Sequence, residues 1–254
     1  MIPKKRIQII GLGVVGTAQA YLAQKLGHEV FGYDIVAKES PYCEVVEDYI
    51  VDADITFICT NESTVEDVVE RLNAKETKSA LVIRSTTPPG TTKHLSEKWG
   101  LHISHNPEFL REKTYLSDIL RPSMIVIGRC CQEHGAVLES FYEPLNVPIF
   151  LVDQTTSELV KLTLNNYLST LITFWNEIDE ICSVIGVDTI TVAEITKRDQ
   201  RVSHYGNSFF GKPFGGKCLP KDLKQIIQLY RSNNLNPKLF EACRDINHLM
   251  EERI

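Results

Sequence analysis

The chain reads as an α/β protein: a Rossmann-type, doubly wound parallel sheet over residues 1–154, then a smaller all-helical domain over 155–254 with one long central helix. Three observations carry that expectation. Short β-branched runs alternate with polar, helix-compatible stretches up to about residue 150. A glycine-rich turn joins the first such run to the first such stretch. From about residue 155 the apolar residues switch to helical spacing.

Strands are expected at about 6–10, 29–33, 54–59, 80–84, 102–105 and 123–128. Helices at about 14–26, 63–73, 91–98 and 132–143 fill the intervals, the pattern of βαβ units. Pro88, Pro89, Pro107 and Pro122 fall in the connections, where a missing N–H does least harm. Thr155, Thr156 and Ser157 then offer helix caps, and Leu159, Leu162, Leu171, Ile178 and Ile185 recur before Gly186, marking one helix of roughly 30 residues. Asp188 suits the cap of a shorter helix to about 197. The stretch 201–219, rich in Gly, Phe, Ser and Asn, reads as a loop. Pro220 suits the first turn of another helix, and Pro237 opens the last.

Composition narrows the function. With 254 residues, 43% hydrophobic and 24% charged, the chain is globular rather than disordered, collagenous or a disulfide scaffold. Its 27 Lys+Arg against 33 Asp+Glu give a net charge of −6 with no basic block, which argues against a nucleic-acid or anionic-membrane surface. No apolar run approaches the roughly 20 residues of a membrane span, and the opening Met1–Arg6 runs into a strand without a cleavage site, so a cytoplasmic location is expected. The seven cysteines are scattered without Cys-x-x-Cys, and the seven histidines form no His-Glu-x-x-His. Disulfide and zinc readings both fail on that spacing, no metal is expected, and most thiols should be reduced and structural.

Gly11-Leu12-Gly13-Val14-Val15-Gly16 follows the strand Ile7–Ile10 and opens a helix, and Asp34 closes the next strand. This is the dinucleotide fingerprint in its proper context. The first glycine permits the tight turn, the second lets backbone approach a pyrophosphate, and the third lets helix and strand pack closely. Asp34 would accept from ribose hydroxyls and repel a 2′-phosphate, favouring NAD over NADP.

Further along, Gly215-Gly216-Lys217-Cys218-Leu219-Pro220-Lys221-Asp222 sets one cysteine on a glycine-flanked turn before a proline-started helix. Backbone N–H groups, the helix dipole and two lysines would stabilise its thiolate. Asp222 also has a plainer reading, as a first-turn acid. Lys161 and Asn165 stand four apart on the long helix and project from one face, which on a solvated surface would mean nothing. Two strand-end loops, Arg84–Gly90 and Asn106–Glu112, lie where ligands bind in open α/β sheets. Glu108 and Glu112 are acid or base candidates there, or simple helix-start carboxylates.

Taken together, these motifs resemble the UDP-glucose/GDP-mannose dehydrogenase family, its UDP-glucose 6-dehydrogenase branch most closely. The match is ordered: the glycine fingerprint, the loop 85–92, Asn-Pro-Glu-Phe-Leu-Arg-Glu at 106–112, Glu-Leu-Val-Lys-x-x-x-Asn at 158–165, Asp199-Gln200-Arg201, and Gly-Gly-x-Cys-x-Pro-Lys-Asp at 215–222. The resemblance implies a four-electron oxidation of a nucleotide-sugar alcohol to a carboxylate with two NAD⁺, UDP-glucose being the expected substrate and GDP-mannose the alternative. It implies cofactor contacts from Gly11, Gly13, Val14, Val15, Gly16 and Asp34, joined by Thr60, Ser85, Thr86 and Glu112. Substrate contacts would come from Glu108, Phe109, Leu110, Lys161, Asn165, Arg201, Phe214 and Gly215.

The chemistry implied has a water near Thr86 and Asp222 removing the hydroxyl proton, while Lys161 and Asn165 hold the oxygen. Cys218 attacks the aldehyde, and Glu112, aided by Glu108, promotes hydrolysis of the thioester. Arg201 would reach substrate on a neighbouring subunit, and the long helix would form a homodimer contact. The chain departs from the family at Lys217, usually Ser, and at Leu219, commonly Phe. It also stops at Ile254, ahead of the family's second Rossmann-like domain. The alternative expectation is therefore an NAD-binding chain completed by a second polypeptide.

Overall fold

The structure is a computed structural model that describes residues 3–36, 39–203, 205–206, 209–216 and 218–252. It divides into two compact units, Met1–Lys161 and Leu162–Ile254. The first carries the sheet. Its strands are β1 (Arg6–Ile10), β2 (Glu29–Tyr33), β3 (Glu44–Val45), β4 (Ile55–Ile58), β5 (Ala80–Ile83), β6 (Ile103–His105), β7 (Ile125–Gly128) and β8 (Ile149–Val152). They lie in the order β3-β2-β1-β4-β5-β6-β7-β8. The order reverses around β1, which pairs in parallel with both β2 and β4, and such a switch point is where open α/β sheets bind ligands.

The helices of this unit are α1 (Val14–Lys25), α2 (Val65–Ala74), α3 (Thr91–Trp99), α4 (Tyr115–Leu120) and α5 (Gln132–Tyr142), followed by the start of α6 (Gln154–Ile185). The two-residue period of the strands sorts their side chains into two cores. Ile7, Ile9, Phe57 and Val82 pack with Leu22 of α1 and Phe141 of α5. Ile10, Ile58, Leu81 and Ile83 pack with Val69 and Leu72 of α2 and Leu95 of α3. The polar Gln8 in β1 is also fully buried, and it is satisfied: its amide donates to Thr56 Oγ1 at 3.0 Å and accepts from Ile50 N–H at 2.5 Å.

Three elements were not expected from the sequence, namely β3, β8 and α4. Both residues of β3 are exposed and one is Glu44, so no apolar run announces it. The run Ile149–Val152 forms an edge strand that is only partly buried, and α4 spans six residues. Two strands depart from the common direction, since β7 runs antiparallel to β6 and β8 pairs in parallel with β7.

In the second unit α6 continues to Ile185, followed by α7 (Thr189–Thr196), α8 (Leu219–Ser232) and α9 (Lys238–Glu251). Asp188 caps α7 by accepting from Ile190 and Thr191 N–H, as expected of an N-cap acid. The amphipathic faces of α8 and α9 bury Leu223, Ile226, Ile227 and Cys243 against Ile172 and Phe214. Among the described residues, no helix is long and apolar enough to cross a membrane.

Candidate active site

The glycine fingerprint forms a real turn with a distinct reason for each glycine. Gly11 takes φ +93°, and a Cβ there would stand 2.8 Å from the Cys59 carbonyl oxygen. A Cβ on Gly16 would collide with the Gly11 carbonyl oxygen. A Cβ on Gly13 would meet nothing within 4 Å. Gly13 is the N-cap of α1, and Gly13 and Val14 are exposed, while Val15 is half-buried. The protein therefore has no packing need for glycine at 13, and the bare backbone faces the space where a phosphate would approach a helix N-terminus.

That turn borders a cleft of about 470 Å³ whose walls include Gly11, Gly13, Asp34, Val36, Thr60 and Arg71. Asp34 accepts from Leu12 N–H at 2.7 Å and from Val36 N–H at 3.0 Å, so it braces the turn as well as facing the cleft. Ser85 Oγ donates to the Thr60 carbonyl at 2.6 Å, tying the loops after β4 and β5 together. These residues fit a dinucleotide: an acidic acceptor, a helix N-terminus and an unobstructed glycine are all present.

Beside the cleft-forming strands, Lys161 and Glu108 make a buried ion pair. Lys161 is 4% and Glu108 8% exposed. The ammonium donates to the Glu108 carbonyl at 2.7 Å and to Oε1 at 3.0 Å, and lies 5.5 Å from the Phe109 ring centre. Leu110 N–H donates to the other carboxylate oxygen at 2.7 Å. Burial alone would raise the Glu108 carboxyl, but the Lys161 charge, the Leu110 amide and Arg84 outweigh it and hold the pKa below its ordinary value. Glu108 is thus an ionised anchor for Lys161. Glu112 is exposed on the loop ahead of α4, and Thr86 is half-buried after β5.

One residue inside a quoted motif was given no role from sequence. Glu158 of α6 is fully buried and accepts from Gly90 N–H at 2.6 Å, Thr92 N–H at 2.8 Å, Thr92 Oγ1 at 2.6 Å and Thr87 Oγ1 at 3.1 Å. It caps α3 from a distance and pins the Thr86–Gly90 loop. Burial pushes its carboxyl up despite those donors. Nearby, His105 bridges Ser157 Oγ at 2.9 Å and the Ser85 carbonyl at 3.4 Å, and burial drives its pKa down to about 3, so it is a neutral strut. Arg84 donates to Asn106 Oδ1 and, at 2.8 Å, to Tyr142 OH, a buried network under the same loops. A sequence signal existed only for Arg84 and Glu158, as charges inside otherwise apolar segments.

In the second unit, Cys218 is exposed at the N-cap of α8, with Pro220 in the first turn. Asp222, one turn on, is completely buried, and its N–H donates to the Cys218 carbonyl at 2.9 Å. Asn165 Nδ2 donates to Asp222 Oδ2 at 2.5 Å, and Lys221 Nζ lies 3.1 Å from Oδ1. Asn165 is itself 8% exposed, so it is no surface decoration. Phe214 is buried and its backbone is clamped at both ends by Asn247, at 2.7 and 3.1 Å, while Gly215 is exposed. Arg201 is exposed and forks onto Asp199, at 2.9 and 2.6 Å. Lys217 lies outside the described residues.

Known proteins match this chain over most of its length. Residues 44–146 match the NAD binding domain, and residues 155–249 the central domain, of the UDP-glucose/GDP-mannose dehydrogenase family. A GDP-mannose 6-dehydrogenase of Pseudomonas syringae pv. syringae is 31% identical over 91% of this chain and 65% of its own length. A UDP-glucose 6-dehydrogenase of Haloferax volcanii is 30% identical over 98% of this chain and 70% of its own. The solved UDP-glucose dehydrogenase of Pyrobaculum islandicum superposes with a TM-score of 0.91 at 27% identity, covering 98% of this chain and 69% of that one. The chain thus spans about two thirds of the length of these relatives. With both family models matched, and with a relative 30% identical over nearly the whole of it, this chain belongs to the UDP-glucose/GDP-mannose dehydrogenase family.

Proposed function

We propose that the chain carries out the NAD-dependent, four-electron oxidation of a nucleotide-sugar C6 alcohol, UDP-glucose to UDP-glucuronate, through a thioester on Cys218. The observation that carries the proposal is the buried Asp222, hydrogen-bonded to Asn165 and one helical turn from an exposed cysteine. A first-turn acid that only complements the helix dipole needs no burial, whereas Asp222 is withdrawn from water and held by Asn165 and Lys221 beside the exposed sulfur's turn.

When bound, NAD⁺ supplies the hydride acceptor for both oxidations. Gly13, the α1 N-terminus and Asp34 hold it by pyrophosphate and ribose. Lys161, aimed by Glu108, and Asn165, aimed by Asp222, donate to the C6 oxygen as negative charge develops there. Asp222 and Thr86 position the water that takes the hydroxyl proton. The Cys218 sulfur then adds to the aldehyde carbon as its proton leaves, giving a thiohemiacetal. Loss of hydride from that carbon leaves an acyl–sulfur bond. Water activated by Glu112 breaks it, returning the thiol and releasing the carboxylate. Per sugar, one water is consumed and two hydrides and three protons are released.

The test is NADH formed per UDP-glucose by the chain and by Cys218→Ser. Two NADH per sugar, with acid formation lost in the variant, is the expected result; an unchanged rate in the variant removes the thioester. GDP-mannose is the second substrate reading, supported by the Pseudomonas relative, and side-by-side turnover decides between the two. Homodimerisation through α6 is supported by Tyr167, Phe174 and Ile181, exposed at seven-residue spacing. A second polypeptide restoring turnover to an inactive chain would favour the trans-completed alternative.

A further inference from the structure

A cluster of soft ligands lies away from every residue used above. His102 immediately precedes β6, Cys130 and Cys131 follow β7, and His134 is in the first turn of α5. Because β7 runs against β6, these residues sit at the sheet margin opposite the glycine turn. The ligand atoms of His102, Cys130 and Cys131 all lie within 4.8 Å of one another. Cys130 Sγ is 3.8 Å from Cys131 Sγ and 3.5 Å from His134 Nδ1, and the two imidazole rings are 5.3 Å apart.

Two of these separations, Cys130 Sγ to Cys131 Sγ and Cys130 Sγ to His134 Nδ1, match the edges of a tetrahedral site. With Zn–S near 2.3 Å and Zn–N near 2.05 Å, the tetrahedral edges are about 3.8 Å for S–S and about 3.6 Å for S–N. The plainer explanation is that Cys131 merely caps α5, since it accepts from His134 N–H at 3.5 Å. Sulfur is a poor cap, and Ser, Thr, Asp or Asn would serve better there. Capping also leaves the approach of His102 unexplained, and the Cys130 sulfur, which accepts from Ser104 Oγ at 3.6 Å, still stands within 3.8 Å of Cys131.

We propose that His102, Cys130, Cys131 and His134 form a binding site for a thiophilic divalent cation, Zn²⁺ being the ion that fits their chemistry. Binding exchanges the two thiol protons for the metal, so Zn²⁺ and two S–H become a neutral Zn(S)₂ unit and two protons, with no change of oxidation state. His134 Nδ1, already 3.5 Å from Cys130 Sγ, supplies the fourth ligand when its side chain turns toward the other three. Sequence spacing hides the site because two ligands are adjacent and one comes from another strand.

The experiment titrates the full chain, stripped of metal and kept reduced, with Zn²⁺, and with Co²⁺ as an optical reporter of tetrahedral thiolate ligation. One ion per chain, with thiolate-to-cobalt absorption, is expected for the parent chain and equally for Cys218→Ser. The paired change Cys130→Ser and Cys131→Ser should abolish it. His102→Ala, at an exposed position that leaves the fold alone, should weaken binding by at least about 100-fold, since even outer-shell changes reach that scale. NAD⁺ binding measured in parallel reports that each variant is folded. Zn²⁺ binding that survives the paired change, that disappears in Cys218→Ser, or that is absent from the parent chain overturns the proposal.

Discussion

Replacing Lys161 by Met isolates the energetic role of its ion pair. The side chains of Lys161 and Glu108 are 5% and 9% exposed, so Met fills the space but leaves a buried carboxylate with its main counter-charge gone. Breaking a buried pair from one side costs about 3–5 kcal/mol. The pH dependence then changes sign. In the parent chain Glu108 titrates below its ordinary 4.5, so its contribution is present above that value and is lost as pH falls through the folded pKa. In Lys161→Met burial dominates and lifts the folded pKa above 4.5, so the variant loses stability as pH rises through that pKa. The gap between the two proteins should be widest at pH 7 and close toward pH 4. Urea unfolding followed by Trp99, in a Trp175→Phe background that leaves one tryptophan in the first unit, measures it. The double change Lys161→Met with Glu108→Leu should recover most of the loss, since a well-packed apolar pair replaces buried ions at little cost. A loss below about 1 kcal/mol, or one equal at pH 4 and 7, would refute the account, because single buried unpaired charges do not come that cheaply.

Other perturbations separate packing from ligand contact. Gly16→Ala should prevent the turn from closing and lower the unfolding midpoint, whereas Gly13→Ala should leave stability within about 0.5 kcal/mol and weaken NAD⁺ binding by calorimetry. Glu158→Ala strands the Gly90 and Thr92 amides and should destabilise the first unit by about 2–4 kcal/mol in the same unfolding assay, at roughly 1–3 kcal/mol per buried orphan. Asp34→Asn should lower NAD⁺ affinity and narrow its preference over NADP⁺, read as the ratio of the two dissociation constants.

The parts of the fold legible in the sequence were those whose signal is local. Strands β1, β2, β4 and β5 are apolar runs bounded by turns, and Asp188 and Pro220 mark helix starts by their own chemistry. Strand β3 was not legible because its pairing with β2 needs no buried side chain of its own. The reversal of β7 was hidden for a different reason: direction is decided by how a connection returns, and nothing in Ile125–Gly128 records it. The same division holds at the site. The glycine turn is contiguous and could be recognised, whereas the Lys161–Glu108 pair spans 53 positions and the reach of Glu158 to Thr92 spans 66. Burial separates a paired interior lysine such as Lys161 from a surface one, and no one-dimensional pattern reports it.

Asp34 grips the amides of Leu12 and Val36 with different oxygens. Such a carboxylate is already aimed before any nucleotide arrives. Little orientational freedom remains to be lost at that point when a ribose docks, so the entropic toll of capture falls mainly on the visitor rather than on the host. A shorter or uncharged substitute would give up a partner and also let the loop wander, and its defect should show in calorimetry as a less favourable entropy of nucleotide capture.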